Sequence, residues 1–510
     1  MKLRKKLSGA DFAQLHNEYR NSKAIGRILA MVEESGCETI VIEGKPKEKE
    51  YKKEYEKFYN KVFTVNSNYV ERLHFFTGVI EQLDDVVDSD ARYLGYCDIR
   101  PLHPPSISGA LLDQKIFIKK NNKFLFLVCK RFFDVQFNGK LLKVEAFPYV
   151  QQDGRIIRCA QAALTSISTF YGKEQMGPDF TEITSKIPTG HRAIPSSGMT
   201  GQQIGVSLEA LGQEAVLYEY WGNDSTDVPL QHREQIIYRY LESGIPVLVG
   251  VVAGSEMHAL VIVGHTFTPD SWGAQTQTDY FGHPKTGFIY HCCTNWIERF
   301  VFQDDNLGPY TLILSDFLQY YGCKLIAVGL PPGIYCMAED AEAFVGDLLC
   351  PRMHNITNTF DHYREEHLKN QKNIHPETDF WYKEFKKHTR QDELVLRTYL
   401  RTAEEWKDTA RKLDSYSEYE DLLEDLPLPE RVWVVEISWP QIFRHSRRLC
   451  GEIIVDTTDQ ITPGIPTLDQ GWLWMHIPGI VLWRDARGNN KGVRVLEGED
   501  VIRTHRFTCE

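Results

Sequence analysis

The run from Ile245 to Gly264 constrains this chain more than any other stretch, because it is almost uninterruptedly apolar and approaches the length of a membrane-spanning helix. Glu256 and His258 break it in the middle, and Gly244 and Pro246 at its head disfavour a helix. It therefore reads as a hairpin of two buried strands, Gly244 to Val252 outward and His258 to His265 back, with Ala253 to Met257 as the turn. No transmembrane segment is expected. The hairpin also sets a histidine, His258, at the head of its return strand.

A second stretch gives that histidine a partner. Arg158 to Gly172 reads as a helix in which Ala162, Leu164, Ile167 and Phe170 form an apolar stripe, Gly172 is the stop and Cys159 lies on the first turn. A thiol on the first turn of a helix faces unpaired backbone N–H groups and the positive end of the dipole, which favour the thiolate that acts as a nucleophile. A buried free cysteine packs as a small apolar residue, so the chemical reading needs a base elsewhere. Downstream of His258, the strand Arg299 to Gln303 ends in Asp304-Asp305-Asn306-Leu307-Gly308-Pro309-Tyr310. A thiol, an imidazole at a strand head and a carboxylate at a strand end supply a nucleophile, a base and a group that fixes the base's tautomer. Cys159, His258 and Asp304 fit this order, with Asp305 as the rival to Asp304.

The rest of the chain frames these segments. Asp11 to Glu34 reads as helical, Glu38 to Ile42 as a strand, and Lys47 to Val62 as a charged helix with a solvated face and an aromatic stripe. Strands follow at Tyr93 to Leu102, Lys115 to Lys119, Lys123 to Phe137 and Lys140 to Tyr149. Thr200 can cap a helix reaching Leu211, Glu214 to Trp221 is extended and Val228 to Ser243 is helical. Thr266 to Lys285, polar and rich in turn formers, reads as a surface excursion. Beyond Pro331-Pro332-Gly333 the pattern gives helices at Asp340 to Leu349 and Asp392 to Leu413, an acidic linker at Glu418 to Pro429, and strands at Arg431 to Ser438, Cys450 to Asp456 and Gly479 to Trp483. The expected fold class is α+β throughout, in three domains: residues 1–146, 147–335 and 336–510.

Composition narrows the partners. A net charge of −12 argues against nucleic acid as the main ligand. The eleven cysteines are scattered and mostly set in apolar segments, which suits a reducing cytoplasm and not a disulfide framework. His291-Cys292-Cys293 lacks a second ligand pair at zinc spacing and reads as a buried strand end. His265 and His291 read as hydrogen-bonded core residues, and Pro101-Leu102-His103-Pro104-Pro105 as a surface turn able to line a cleft. No cofactor and no metal are expected.

Several motifs together resemble a family. Gln-Asp ahead of the cysteine, the helix opening Cys159-Ala160-Gln161-Ala162-Ala163, Gly198-Met199-Thr200 followed by Gln203-Ile204, Gly244-Ile245-Pro246-Val247, His258-Ala259-Leu260-Val261 and Phe302-Gln303-Asp304-Asp305-Asn306 look like the peptidases that process double-glycine leader peptides and their stand-alone papain-fold relatives. The likeness spans Phe147 to Gly329. It implies a papain-like cysteine peptidase core in which Cys159 is the nucleophile, His258 the base and Asp304 or Asp305 the orienter. An oxyanion-hole glutamine, Gln152 or Gln151, is implied too, with the Cys159 N–H completing the hole. The chain departs from the family in having Ala160 after the cysteine and a glutamine one or two residues further from it than usual.

The activity so implied is hydrolysis of a peptide or isopeptide bond in a protein or peptide substrate, by a stand-alone bacterial, cytoplasmic processing or activation protease. The flanking domains are places for a protein partner, and no membrane or nucleic acid is involved. Exporter-linked leader processing does not fit, since no Gly-x-x-x-x-Gly-Lys-Ser/Thr phosphate loop is present. The alternatives are acyl transfer of the transglutaminase type on the same triad and a non-catalytic scaffold with a papain-like core.

Overall fold

The computed structural model describes residues 1–44, 48–63, 67–117, 125–187, 198–220, 230–253, 256–267, 280–282, 288–317, 322–352, 356–370, 374–411, 420–446, 448–461, 471–484, 491–495 and 503–504. The chain is mixed α+β with mostly antiparallel sheets, and it divides into two compact units. The first contains residues 1–228, 244–267 and 298–331, and the second residues 229–243, 268–297 and 332–510. The segments expected as the amino-terminal and central domains thus share one unit, while residues 229–243 and 268–297 group with the carboxy-terminal part. No helix among the described residues is long and apolar enough to cross a membrane.

In the first unit, Lys2–Lys5, Cys37–Gly44, Glu71–Thr77, Tyr93–Arg100 and Ser106–Leu112 form an antiparallel sheet in chain order. Helix Lys23–Glu34 packs on it through Ile25, Ile28, Leu29 and Val32, all buried. The second sheet runs Gly308–Leu314, Arg299–Asp304, Glu256–Thr266, Val247–Ala253, Cys323–Leu330, Glu214–Glu219. The apolar hairpin lies at its centre, and Val247, Leu248, Val249, Val261, Ile262 and Val263 are buried. The cysteine helix, Cys159–Phe170, packs against strand Glu256–Thr266. In the second unit, an eight-stranded sheet includes Leu394–Thr402, Arg431–Ser438 and Gly451–Asp456, with helices Leu230–Glu242 and Ala338–Leu349 against strand Leu394–Thr402.

Several expectations need correction. Asp392 to Leu413 is not one helix but strand Leu394–Thr402 followed by helix Ala403–Arg411. Its first half is buried at nearly every position, so it carries no alternation to mark it as a strand. The acidic linker contains helix Glu420–Asp425, anchored by Leu423 and Leu426 in a cluster with Trp406, Val432 and Trp474. Lys115 to Lys119 begins as the 3-10 turn Gln114–Ile116, and its last two residues lie outside the described ones. The return strand starts at Glu256, so His258 is inside it. Most of the excursion at Thr266 to Lys285 lies outside the described residues, although Tyr280–Gly282 is a strand. The helix at Lys49–Lys57 buries Glu50 and Glu54 together with Tyr51, not an aromatic stripe alone.

Candidate active site

Cys159 is the first residue of its helix, after an extended Arg158 whose N–H donates to Gln161 Oε1 at 3.2 Å. No acidic residue occupies the first turn, so nothing there opposes the dipole's effect on an anion. The approach to the helix is fixed by Asp153. Its Oδ1 accepts N–H groups from Arg155, Ile156 and Ile157 at 2.8, 2.9 and 2.9 Å, and its Oδ2 accepts the Tyr59 hydroxyl at 2.5 Å. Ile156 and Ile157 are buried, so this side-chain-built turn is pinned from below. Of the ten described cysteines, all free thiols, Cys159 alone is not buried.

His258 reaches the same place from the sheet. Strand Glu256–Thr266 pairs with Arg299–Asp304 in a register, Val261 to Gln303 and Ile262 to Phe302, whose continuation sets His258 opposite Asn306. The ring's Nε2 lies 3.3 Å from Asp304 Oδ1, 3.3 Å from Asp305 Oδ1 and 3.3 Å from Asn306 Nδ2, and the Cys159 side chain is near enough to favour the ring's protonated form. Burial favours the neutral ring, but the bond with Asp304, the Cys159 side chain and the charge of Asp305 outweigh it and push the imidazole up to about 10. An Nε2–H can be donated to Asp304 but not to an amide NH2, so Asn306 completes a hydrogen bond only with its amide turned to present Oδ1.

The two aspartates sit in different environments. Asp304 Oδ1 also accepts the N–H groups of Asn306 at 2.8 Å and Leu307 at 3.2 Å, and although burial opposes them, the bond to His258 and these amides hold its carboxyl below the usual range. Asp305 is buried with neither carboxylate oxygen hydrogen-bonded, and burial pushes it up to about 7. Asp304 is therefore the settled carboxylate and Asp305 the unsettled one. The three donor atoms of His258, Asp304 and Asp305 lie within 4.8 Å of one another, the one group among the described residues compact enough for a cation. His291, Cys292 and Cys293 form no such group; all three are buried, which pushes the Cys292 thiol up to about 11 and His291 down to about 4. His265 is buried with Nδ1 at 3.1 Å from the Thr266 carbonyl.

Consecutive glutamines separate cleanly. Gln151 Oε1 accepts the Ile107 N–H at 3.1 Å and its own N–H donates to the Ile107 carbonyl at 3.0 Å, so Gln151 is spent on the sheet edge. Gln152 Nε2 donates to Asn306 Oδ1 at 3.0 Å and belongs to the cluster around the imidazole. Turning the Asn306 amide requires turning that of Gln152 as well, which keeps the bond. The sequence reading had no place for Asn306; the register of His258 against the Asp-Asp-Asn turn is the signal that finds it.

The acidic turn is braced from the amino-terminal segment. Arg27 donates through Nε to the Pro309 carbonyl at 2.7 Å and through Nη2 to the Tyr310 carbonyl at 2.6 Å, and the Tyr149 hydroxyl donates to the Asp304 carbonyl at 3.1 Å. Gly308, at φ +113°, passes so close to Arg27 that a Cβ there would lie 2.8 Å from its Cδ. Beneath the glutamines, the buried Arg100 pairs with Glu54 at 2.8 and 2.6 Å and donates to the Ile107 and Gln151 carbonyls at 2.5 and 3.0 Å. Among known proteins, no family model matches the chain and no curated protein matches its sequence.

Proposed function

We propose that the chain is a papain-like cysteine peptidase hydrolysing a peptide or isopeptide bond, with Cys159 as nucleophile, His258 as base and acid, and Asp304 as orienter. One observation carries the reading: the only described thiol that is not buried lies beside an imidazole whose Nε2 faces a buried, hydrogen-bonded carboxylate. His258 takes the thiol proton, and the resulting imidazolium is held by Asp304. The thiolate attacks the carbonyl carbon, and the oxyanion draws on the Cys159 N–H and the Gln152 amide. His258 then protonates the leaving amine as the C–N bond breaks, leaving a thioester. Having given its proton to the amine, the imidazole is neutral and deprotonates the water that releases the acid.

The free thiols at all ten described cysteines favour a reducing compartment, in keeping with an intracellular processing or activation protease. The test is alkylation of the full chain with iodoacetamide, mapped by mass spectrometry, with parallel mapping of new termini in a protein substrate pool. Cys159 is expected to alkylate first, and Cys159→Ala to lose the new termini without losing the fold. Alkylation of Cys159 no faster than that of the other cysteines, or termini that persist in Cys159→Ala, overturns the assignment.

A further inference from the structure

A cavity of about 680 Å³ opens beside Gln152 and Asn306. Its wall comes from the turn before helix Lys23–Glu34, the Pro101 to Pro105 loop and the segment leading to the cysteine. Its fixed charges are Lys23, Arg155 and Asp153. The oxygens of Asp153 are consumed by the turn amides and the Tyr59 hydroxyl. Lys23 and Arg155 are exposed, and neither makes an ion pair among the described residues. Two serines of the wall use their oxygens inward: Ser22 Oγ accepts from the Ile25 N–H and Ser106 Oγ from Arg100, which leaves each hydroxyl hydrogen to donate. The cavity thus offers cations and donors, and its one carboxylate has no free face.

We infer that this cavity is a substrate subsite for an acidic side chain, Asp or Glu, of a peptide lying across Cys159. The inference deepens the peptidase reading and rests on it for the identity of the ligand as substrate. Unpaired cations in a cavity that shares Gln152 and Asn306 with the cluster around the imidazole recruit a carboxylate, and in a chain of net charge −12 such a patch is not a by-product of overall charge. A neutral or basic side chain there leaves both cations uncompensated, so the pocket discriminates as well as binds.

The test measures binding apart from turnover. Full-length Cys159→Ala is titrated with short rhodamine-labelled peptides rich in Glu and with their Gln and Lys counterparts, followed by fluorescence anisotropy. The Glu peptide is expected to bind about tenfold more tightly than the Gln peptide, the size of two exposed charge contacts together. The advantage should shrink with salt and vanish in Lys23→Gln/Arg155→Gln. Equal affinities, a preference for Lys, no binding of the Glu peptide, or a preference that survives the double substitution overturns the inference. Cys159 alkylation in the unsubstituted chain separates the two claims. Selective alkylation without acidic preference sinks the subsite alone, and acidic preference without selective alkylation sinks the peptidase reading and leaves an anion site.

Discussion

Glu54→Gln isolates what holds the floor of the site. Arg100 and Glu54 are wholly buried, and the fork between them at 2.8 and 2.6 Å is that of an ionised pair. Removing the carboxylate charge strands a guanidinium in the interior, which costs roughly 3–5 kcal/mol. Two features pull the value to the low end. The Gln amide oxygen can still accept one hydrogen bond, and Arg100 keeps the Ile107 and Gln151 carbonyls. Glu50 is the second: burial, then the charge of Glu54, pushes its carboxyl well above the ordinary range, and its Oε1 has no hydrogen-bond partner. Without Glu54 the repulsion disappears, so Glu50 can ionise toward Arg100. We therefore expect a loss of about 3 kcal/mol for Glu54→Gln, set against the roughly 5–15 kcal/mol that keeps a domain folded. Glu50→Gln alone should cost less than Glu54→Gln, since burial and the charge of Glu54 already push the Glu50 carboxyl toward its neutral form. The double substitution should cost about 1–2 kcal/mol more than the sum of the singles, because it removes the stand-in. Tryptophan fluorescence is a poor probe, as Trp221 is the only one of the ten tryptophans in the first unit. Hydrogen exchange across Tyr93–Arg100 and Ser106–Leu112 in mild urea reads the right region. A Glu54→Gln loss below about 1 kcal/mol, or a Glu50→Gln loss equal to it, refutes the ionised pair with a neutral neighbour.

Two further outcomes follow from the aspartates. Asp305, pushed up to about 7 by burial, should give Cys159 alkylation an inflection near that pH. His258, raised to about 10 by bonds that outweigh its burial, contributes stability that is complete below its unfolded value and lost as pH rises through 10. Asp305→Asn should erase the inflection near 7, Asp304→Asn should move the alkaline limb to lower pH, and alkylation profiles unchanged in both would refute the assigned roles. Zn²⁺ should slow alkylation by drawing on His258, Asp304 and Asp305, with less effect in Asp305→Asn, whereas a chelator should leave peptide hydrolysis unchanged. Hydrolysis abolished by the chelator and restored by metal would replace the thiol mechanism with a metal-dependent one.

The sequence displays the cysteine helix, the apolar hairpin and the Asp-Asp-Asn turn because each carries its own local signal: a stripe with a stop, a run too apolar for the surface, a cluster of turn formers. It is silent on Arg100, since nothing near residue 100 says that a charge is buried or that Glu54 will meet it. Gln151 and Gln152 are indistinguishable as letters. They part only because neighbouring residues of an extended backbone face opposite ways, and the edge strand at Ile107 claims one of them. Strand Leu394–Thr402 was hidden for the opposite reason, because burial on both sides erases the period that betrays a strand.

The bonds from Arg27 to the Pro309 and Tyr310 carbonyls bear on how this protein can be cut. The proposed peptidase core begins at Phe147, and excision there looks natural on paper. Such a fragment would shed the arginine that props the acidic corner, the Glu54–Arg100 footing under the glutamines, and the Pro101 to Pro105 side of the cavity. What looks like a detachable leading module is a built-in jig, and whatever loosens its grip on that corner acts on the imidazole without touching it.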